Sequence, residues 1–424
     1  MPRIVRNTIL NYIPNRYFIE NEINPARIYH LNNKPIRNGK IIYLCEREIR
    51  AKDNFALQFA IEKSKELNLQ LKIIHPKINY DYEPKQQFVN RQLEQAKSLF
   101  DRLNFDFEIL EKTPQEIIKT LNPATLIIDF NPILKRDYLK NADFKIYEID
   151  GHNIIPARFV SDKQEYSAAT LRTKIYSKSY PFLTEYVSLT SDKVEADYVL
   201  EDFISNKLQY YSENKNNPSI NLTSGLSKYL NLGFISSQRV ALEVIKSGVN
   251  DIDKEAFLEE LIIRKELADN FCLYSKSFKD FSSIPNWAKI SLEEHKNDIR
   301  FYLYQLQDLE HAKTHDDLWN ATQIQLVKEG TIHGYLRMYW AKKILEWMLT
   351  PDEALKTAIY LNDKYAYDAP SANGYVGILW AIGGLHDRAF TDFSITGKIR
   401  RMIYNSIKRK YNVDDYIKNI QAHL

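Results

Sequence analysis

The sequence predicts two parts of different class, a parallel α/β domain followed by an all-α domain. Three observations predict this. Short apolar runs alternate with amphipathic helical stretches through the first third of the chain. Strand-like alternation then stops near Glu195, and long helical patterns continue from there to the end.

The apolar runs KIIYLCE (Lys40–Glu46) and LQLKIIHP (Leu69–Pro76) suit buried strands, and Lys52–Leu67 between them has helical periodicity. Pro84–Leu103 is a second amphipathic helix. FDFEIL (Phe105–Leu110), ATLIIDF (Ala124–Phe130) and FKIYEID (Phe144–Asp150) are further strands. Strands alternating with helices give a parallel sheet of Rossmann-like type over 35–160. No G-x-G-x-x-G follows any strand, so no dinucleotide pyrophosphate site is signalled there. The stretch from Ala157 lacks a continuous apolar face and is expected to begin a linker over 161–194. The helical domain is expected over 195–424, interrupted by NKNNPS (Asn214–Ser219), SIPNW (Ser283–Trp287) and a loop from Tyr365 to Tyr375.

A length of 424 residues accommodates two cores, and 44% hydrophobic content is ordinary for a globular protein. Two cysteines, Cys45 and Cys272, far apart in sequence, exclude a disulfide framework and a zinc cluster; no metal is expected, and a reducing cytoplasm is the natural compartment. MPRIVRNTILNYIPNR has charges and prolines where a signal peptide needs an apolar run. No segment approaches the ~20 apolar residues of a membrane span, so a soluble, intracellular protein with no membrane partner is expected. Nothing in the chain suggests more than a monomer. The net charge of +3 says little, but Arg388–Asn412 carries seven basic residues against Asp392 alone, a local net of +6. Such an excess fits a phosphate-backbone contact or a solvated helix face.

Two constellations could carry chemistry. In TIHGYLRMYWAKKILEW (Thr331–Trp347), Trp340 and Trp347 stand seven residues apart, almost two helical turns, so they share a face roughly 10 Å apart along the axis. With Trp319 in HDDLWNA they could form a row for single-electron hopping into a buried cofactor; spacing alone equally fits an aromatic core. In NLTSGLSKYL (Asn221–Leu230), Thr223, Ser224 and Ser227 surround Gly225 and Leu226 before a predicted helix. This is a candidate anion site, although the same pattern serves as an ordinary helix cap.

HGYLRMYWAKKILEW, with HDDLWNA before it and LND, NGY and GGLHDR after it, resembles the class II cyclobutane pyrimidine dimer photolyases, in the photolyase/cryptochrome family. DNFALQFA (Asp53–Ala60), SSQRVALEV (Ser236–Val244) and RKELADNFCLY (Arg264–Tyr274) resemble other segments of that family in the same order, so the similarity covers nearly all the chain after about residue 35. The resemblance implies a Rossmann-like antenna-type domain and a helical FAD-binding domain. It implies a light-dependent DNA lyase: photoexcited, fully reduced FAD gives an electron to a flipped-out cyclobutane dimer in UV-damaged DNA, the ring splits, and the electron returns.

Residue by residue, the same resemblance assigns Tyr211, Lys215, Thr223, Ser224, Gly225, Leu226 and Ser227 to the FAD pyrophosphate, with Lys215 in place of a family arginine. Arg337 and Asp368 correspond to a salt bridge beside the flavin ring, and Asn362 to the amide facing its central ring. Glu260 corresponds to a catalytic glutamate beside the lesion carbonyls, a role that requires a protonated carboxyl in an apolar pocket. Trp380 corresponds to the flat wall against the flipped dimer, and Arg388 to a residue bracing the opened duplex; the basic run, including Lys398 and Arg400, would follow the DNA backbone. Trp340, Trp319 and Trp347, assisted by Tyr304 and Tyr339, correspond to the photoreduction path. An antenna chromophore, a deazaflavin or a folate, has no identifying residue set. The chain departs from the family at Arg264, where some members have a lesion-stacking tryptophan, at Phe390, where a tryptophan is common, and at Pro370–Ala372, Lys228 and Asn231. A cryptochrome-like photosensor is the alternative, and composition alone also leaves room for a redox flavoprotein. His333 belongs to the HGY pattern and is expected to be structural rather than a sign of (6-4) photoproduct repair.

Overall fold

The computed structural model describes residues 8–12, 22–186 and 189–422; most of the N-terminal stretch read above as lacking a leader falls outside them. Packing divides the chain into two compact units. The first comprises Met1–Glu165, Ala169–Gln209 and Ser224–Asn270, and the second Tyr166–Ala168, Tyr210–Thr223 and Phe271–Leu424. Ser224–Asn270 therefore packs with the sheet although it follows the boundary expected at residue 195.

The first unit is built on a six-stranded sheet: β1 Ile28–His30, β2 Ile41–Leu44, β3 Leu71–Pro76, β4 Phe107–Leu110, β5 Thr125–Asp129 and β6 Lys145–Ile149, in the order β1-β6-β5-β2-β3-β4. β2 to β6 are parallel and lie inside the apolar runs. Central strands covered on both faces are near-continuously apolar, and β2 and β5 are buried throughout, with the polar ends of β5, Thr125 and Asp129, hydrogen-bonded. Ile42, Leu44, Ile74, Leu126, Ile128 and Ile146 form one side of the core with Ile117 and Phe144. Ile117 comes from a helix not expected above, Pro114–Leu121. It is opened by a capping box between Thr113 and Glu116 with Pro114 at its first position, a signal present in the sequence as TPQE. β1, also unexpected, is three largely exposed residues running antiparallel to β6.

The helix expected from Lys52 starts at Phe55, because the Asn54 side chain accepts from Leu57 N at 2.9 Å and fixes the first turn. The region expected to be a linker, 161–194, contains an α-helix. Ala168–Lys178 is a helix, and within it Leu171 and Ile175 are buried one turn apart.

Counted along the parallel strands, the sheet has the 3-2-1-4-5 order of a Rossmann half, with a switch point between β2 and β5. A dinucleotide phosphate would meet the backbone N–H groups after β2. Here those groups are taken. Asp129, at the end of β5, accepts from the N–H groups of Glu46 (2.8 Å), Arg47 (2.7 Å) and Glu48 (2.9 Å) and from the Tyr43 hydroxyl (2.7 Å). The chain's own carboxylate fills the anion nest, which agrees with the missing glycine fingerprint.

The second unit is helical among its described residues, with one isolated bridge between Phe393 and Gly397. Asp317–Glu329, Gly334–Trp347, Pro351–Tyr365 and Ala372–Gly383 pack against one another, capped by Asp316, His333, Thr350 and Ser371. His333 Nδ1 accepts from Tyr335 N at 3.2 Å, and this cap gives the residue its structural role. Gly330 ends the first of these helices at φ +66, where a Cβ would lie 2.1 Å from the Tyr367 ring, so only glycine closes this turn. Cys45 and Cys272 are both buried and form no disulfide. Among the described residues no helix is long and apolar enough to cross a membrane, and no three His, Cys, Asp or Glu side chains are grouped to hold a metal.

Candidate functional site

The helix Gly334–Trp347 organises the second unit's site. Arg337, on its first turns, reaches two partners: Nη2 donates to both carboxylate oxygens of Asp368 at 3.2 and 3.3 Å, and Nη1 to Asn362 Oδ1 at 3.4 Å. Asn362 is 3% exposed on Pro351–Tyr365, and Asp368 lies in the loop that follows. The Asn362 amide also donates to Asp363 at 3.2 Å, which sets its orientation. Gly374 leaves the space beside it: a Cβ there would meet Asn362 Nδ2 at 3.0 Å and Ser371 Oγ at 3.1 Å. Asn362 does not cap its helix; Ala366 is the capping position, and its N–H bonds to the Asn362 carbonyl.

One turn further, the tryptophans form a continuous row. Trp319 and Trp340 have centroids 6.5 Å apart with planes 3° from parallel, and Trp319 meets Trp347 edge-on at 5.6 Å. The Trp319 indole N–H donates to the Trp340 carbonyl at 3.0 Å, and that of Trp340 to Gln323 Oε1 at 2.9 Å, so both rings are fixed. Trp347 continues outward to Tyr304 at 5.5 Å and to His315 at 5.2 Å. Tyr339 is fully buried and its hydroxyl donates to Asp316; burial and that carboxylate hold the phenol well above its usual pKa. Gln323, Asp316 and His315 were not assigned from sequence, although Asp316 and His315 lie in the quoted HDDLWNA motif.

Trp380 is half-buried on Ala372–Gly383, with its indole N–H on Asp387 Oδ2 at 3.1 Å. Arg388 and Arg400 both approach the Phe390 ring, at 5.4 and 5.6 Å, and Phe390 N–H bonds to the Lys398 carbonyl at 2.9 Å. The three basic residues are thus gathered, exposed, around one aromatic ring. Tyr211 opens a one-turn helix and Lys215 caps it, in the same unit as Thr223.

In the first unit, Glu259–Arg264 forms a π-helical turn in which Leu261, Ile262 and Ile263 are buried and Glu260 and Arg264 are exposed. Such turns recur at functional sites because the extra residue re-aims the side chains around it. The structure separates three glutamates that look alike in the sequence. Glu259 is bound by Arg172 at 2.6 and 3.1 Å, with Arg264 Nε at 3.4 Å. Glu266 is buried and accepts from Ile154 N at 2.7 Å. Glu260 alone of the three is exposed. Ser224, Gly225, Leu226 and Ser227 also lie in this unit. Gly225 has φ +68, and Ser224 Oγ accepts from Leu226 N at 3.3 Å. The helix after them, Ser227–Asn231, is little more than one turn and has no side-chain cap, so its dipole adds little and anion affinity would rest on hydroxyls and loop N–H groups.

No family model matches the chain. It is 35% identical over 435 residues to a deoxyribodipyrimidine photo-lyase of Potorous tridactylus, covering 89% of this chain and 81% of that protein. It is 34% identical over 442 residues to one of Arabidopsis thaliana, covering 91% and 89%. The chain belongs to the deoxyribodipyrimidine photo-lyase family. A relative from Methanothermobacter thermautotrophicus, of the same name, is 30% identical over 99% of its own length. Two solved structures share the photo-lyase fold at a TM-score of 0.67: a class III photolyase from Agrobacterium tumefaciens, 15% identical over 91% of this chain and 87% of that one, and a cryptochrome from Synechocystis, 12% identical over 92% and 89%. The animal and plant relatives of this photo-lyase fit the class II motif in Gly334–Trp347.

Proposed function

We propose that the chain is a light-dependent deoxyribodipyrimidine photo-lyase acting on cyclobutane dimers in UV-damaged DNA, with FAD as its cofactor. The observation that carries this beyond family membership is the tryptophan row beginning three residues from Arg337, on the helix that also anchors Asn362 and Asp368. The donor set fits a flavin: a guanidinium paired with a carboxylate, a buried oriented amide, and a glycine where a side chain would crowd that amide. Arg337, Asn362 and Asp368 would hold the ring system, and Tyr211, Lys215, Thr223, Ser224, Gly225, Leu226 and Ser227 the pyrophosphate. Bound and fully reduced, the FAD supplies the electron that light transfers to the lesion and then takes it back.

The protein supplies geometry and charge. Trp380, its indole N–H held by Asp387, would supply the flat wall against a flipped dimer. Glu260 would donate a hydrogen bond to the dimer carbonyls where negative charge develops; because it is exposed, the apolar cover that keeps it protonated would come from the docked lesion itself. Arg264 offers a guanidinium plane for stacking where some members of the family have a tryptophan. Arg388, Lys398 and Arg400 would contact phosphates. The row Trp340, Trp319, Trp347, with Tyr304 and Tyr339, would restore reduced flavin after oxidation. Residues 35–160 are read as the antenna-type domain, joined through 161–194 to the catalytic part at 195–424, in an intracellular monomer.

Repair of a thymine-dimer oligonucleotide by reduced, FAD-loaded protein, in blue light and in the dark, tests the reading. Light-dependent loss of the dimer is expected. Bound, photoreducible flavin without repair would instead identify a cryptochrome-like sensor.

A further inference from the structure

The outer end of the tryptophan row has a geometry that the electron path alone does not require. The Tyr304 hydroxyl lies 2.7 Å from His315 Nδ1 and accepts the His315 backbone N–H at 2.9 Å. The hydroxyl keeps its own proton while accepting from the backbone, so it can donate to Nδ1 when the imidazole carries its hydrogen on Nε2. Both rings touch Trp347 edge-on, at 5.5 and 5.2 Å. Tyr302 stacks on the other face of the imidazole at 3.5 Å with planes 12° apart. The Tyr304 backbone N–H bonds to the Trp347 carbonyl at 3.2 Å, tying the pair to the end of the helix.

We infer that Tyr304 and His315 form a proton-coupled terminus to the row: when a hole reaches Trp347, Tyr304 gives its electron to Trp347 and its proton to His315 Nδ1. The inference rests on the proposed electron path through Trp340 and Trp319. One electron moves and one proton moves. The Trp347 radical cation becomes neutral tryptophan, the Tyr304 O–H bond breaks, and an Nδ1–H bond forms. The products are a neutral tyrosyl radical and an imidazolium, so total charge is unchanged. His315 is exposed, so the imidazolium can release its Nε2 proton to solvent. A bare phenol is a poor donor because its radical cation is strongly acidic, and a neutral base at hydrogen-bond distance removes that obstacle. Once the proton has left, return of the electron is uphill, and the hole is trapped at the surface, where an external thiol can later supply one electron and one proton.

The surroundings keep the imidazole ready to accept. Partial burial against the aromatic rings is the largest effect and lowers its pKa from 6.5. Asp316 and Glu346 act in the opposite direction, and Lys343 adds to the lowering. His315 is therefore neutral at physiological pH and charged in acid, where it can accept nothing.

Flash absorption spectroscopy of the protein loaded with oxidised FAD, in a pH series running down from about 7.5, tests this directly. An indolyl signal should appear first, followed by a tyrosyl signal whose rise slows in D2O and slows once the pH is low enough to protonate His315. His315→Phe keeps the ring stack and removes the base; the tyrosyl yield should fall by about tenfold or more while the indolyl yield is unchanged. Tyr304→Phe should abolish the tyrosyl signal. A tyrosyl radical formed equally well in His315→Phe, with no isotope effect, would overturn the inference and leave the tryptophan row standing. Absence of any indolyl signal in the unmodified protein would overturn the row, and the terminus with it.

Discussion

Trp319 and Trp340 lie with their ring planes 3° from parallel, and each indole N–H is held by a different acceptor, the Trp340 carbonyl and the Gln323 side chain. A stack anchored at both nitrogens holds its two rings in one geometry. Gln323→Ala would leave the buried Trp340 N–H without a partner and is expected to cost about 1–3 kcal/mol, read by urea denaturation. Trp319→Phe should abolish photoreduction of oxidised flavin while chemically reduced protein still repairs dimers, so assays on oxidised and pre-reduced protein separate the two roles.

Asp316 serves two ends at once. One oxygen caps Asp317–Glu329 through Trp319 N at 2.9 Å, and the other takes the Tyr339 hydroxyl. Asp316→Ala removes the cap and leaves a buried phenol unpaired, for a combined loss of about 2–4 kcal/mol. Asp316→Asn preserves capping and should lose only about 1 kcal/mol, as measured by the shift in denaturation midpoint.

Asp129 closes the switch point of the sheet by accepting from three backbone N–H groups and a tyrosine. Asp129→Ala orphans all four donors and should cost at least about 3 kcal/mol, with the loss concentrated in the first unit and visible as faster amide exchange at Glu46–Glu48.

His333 caps Gly334–Trp347 as a neutral imidazole, and burial lowers its pKa from 6.5 to about 4. Because the folded value is depressed, its contribution is complete above pH 6.5 and is lost as pH falls toward 4, where the unfolded chain binds the extra proton. The slope reaches at most about 1.4 kcal/mol per pH unit. Other buried histidines, such as His75, act in the same direction, so the measurement is a difference. His333→Asn, which can still cap, should show a shallower loss of stability between pH 6.5 and 4 than the unmodified protein.

Arg388 and Arg400 flank Phe390 on the exposed basic surface. Replacing either by alanine should weaken binding to dimer-containing DNA and lower the salt dependence of log K by about one for each phosphate no longer neutralised. Fluorescence anisotropy over a salt series gives both numbers.

Much of the fold was legible because its cause is local. Parallel strands covered on both faces need near-continuous apolar runs, and those runs stand out in the sequence at Ile41–Leu44 and within Thr125–Asp129. A seven-residue interval puts Trp340 and Trp347 on one helical face whatever surrounds them. The Pro114 helix was legible too, through its capping box, but an eight-residue helix carries too short a period to stand out. β1 was not legible, since three half-exposed residues become a strand only by pairing with β6. Which of Glu259, Glu260 and Glu266 is exposed depends on where Arg172 and Ile154 arrive from distant sequence, so folding in three dimensions makes that choice. Folding likewise brings Asp129 into the nest after β2 and sets Asp316, Gln323 and His315 around the indoles. Local patterns dictate the main elements and the identity of the redox side chains; the hydrogen-bond partners of those side chains depend on contacts across the chain that no local pattern encodes.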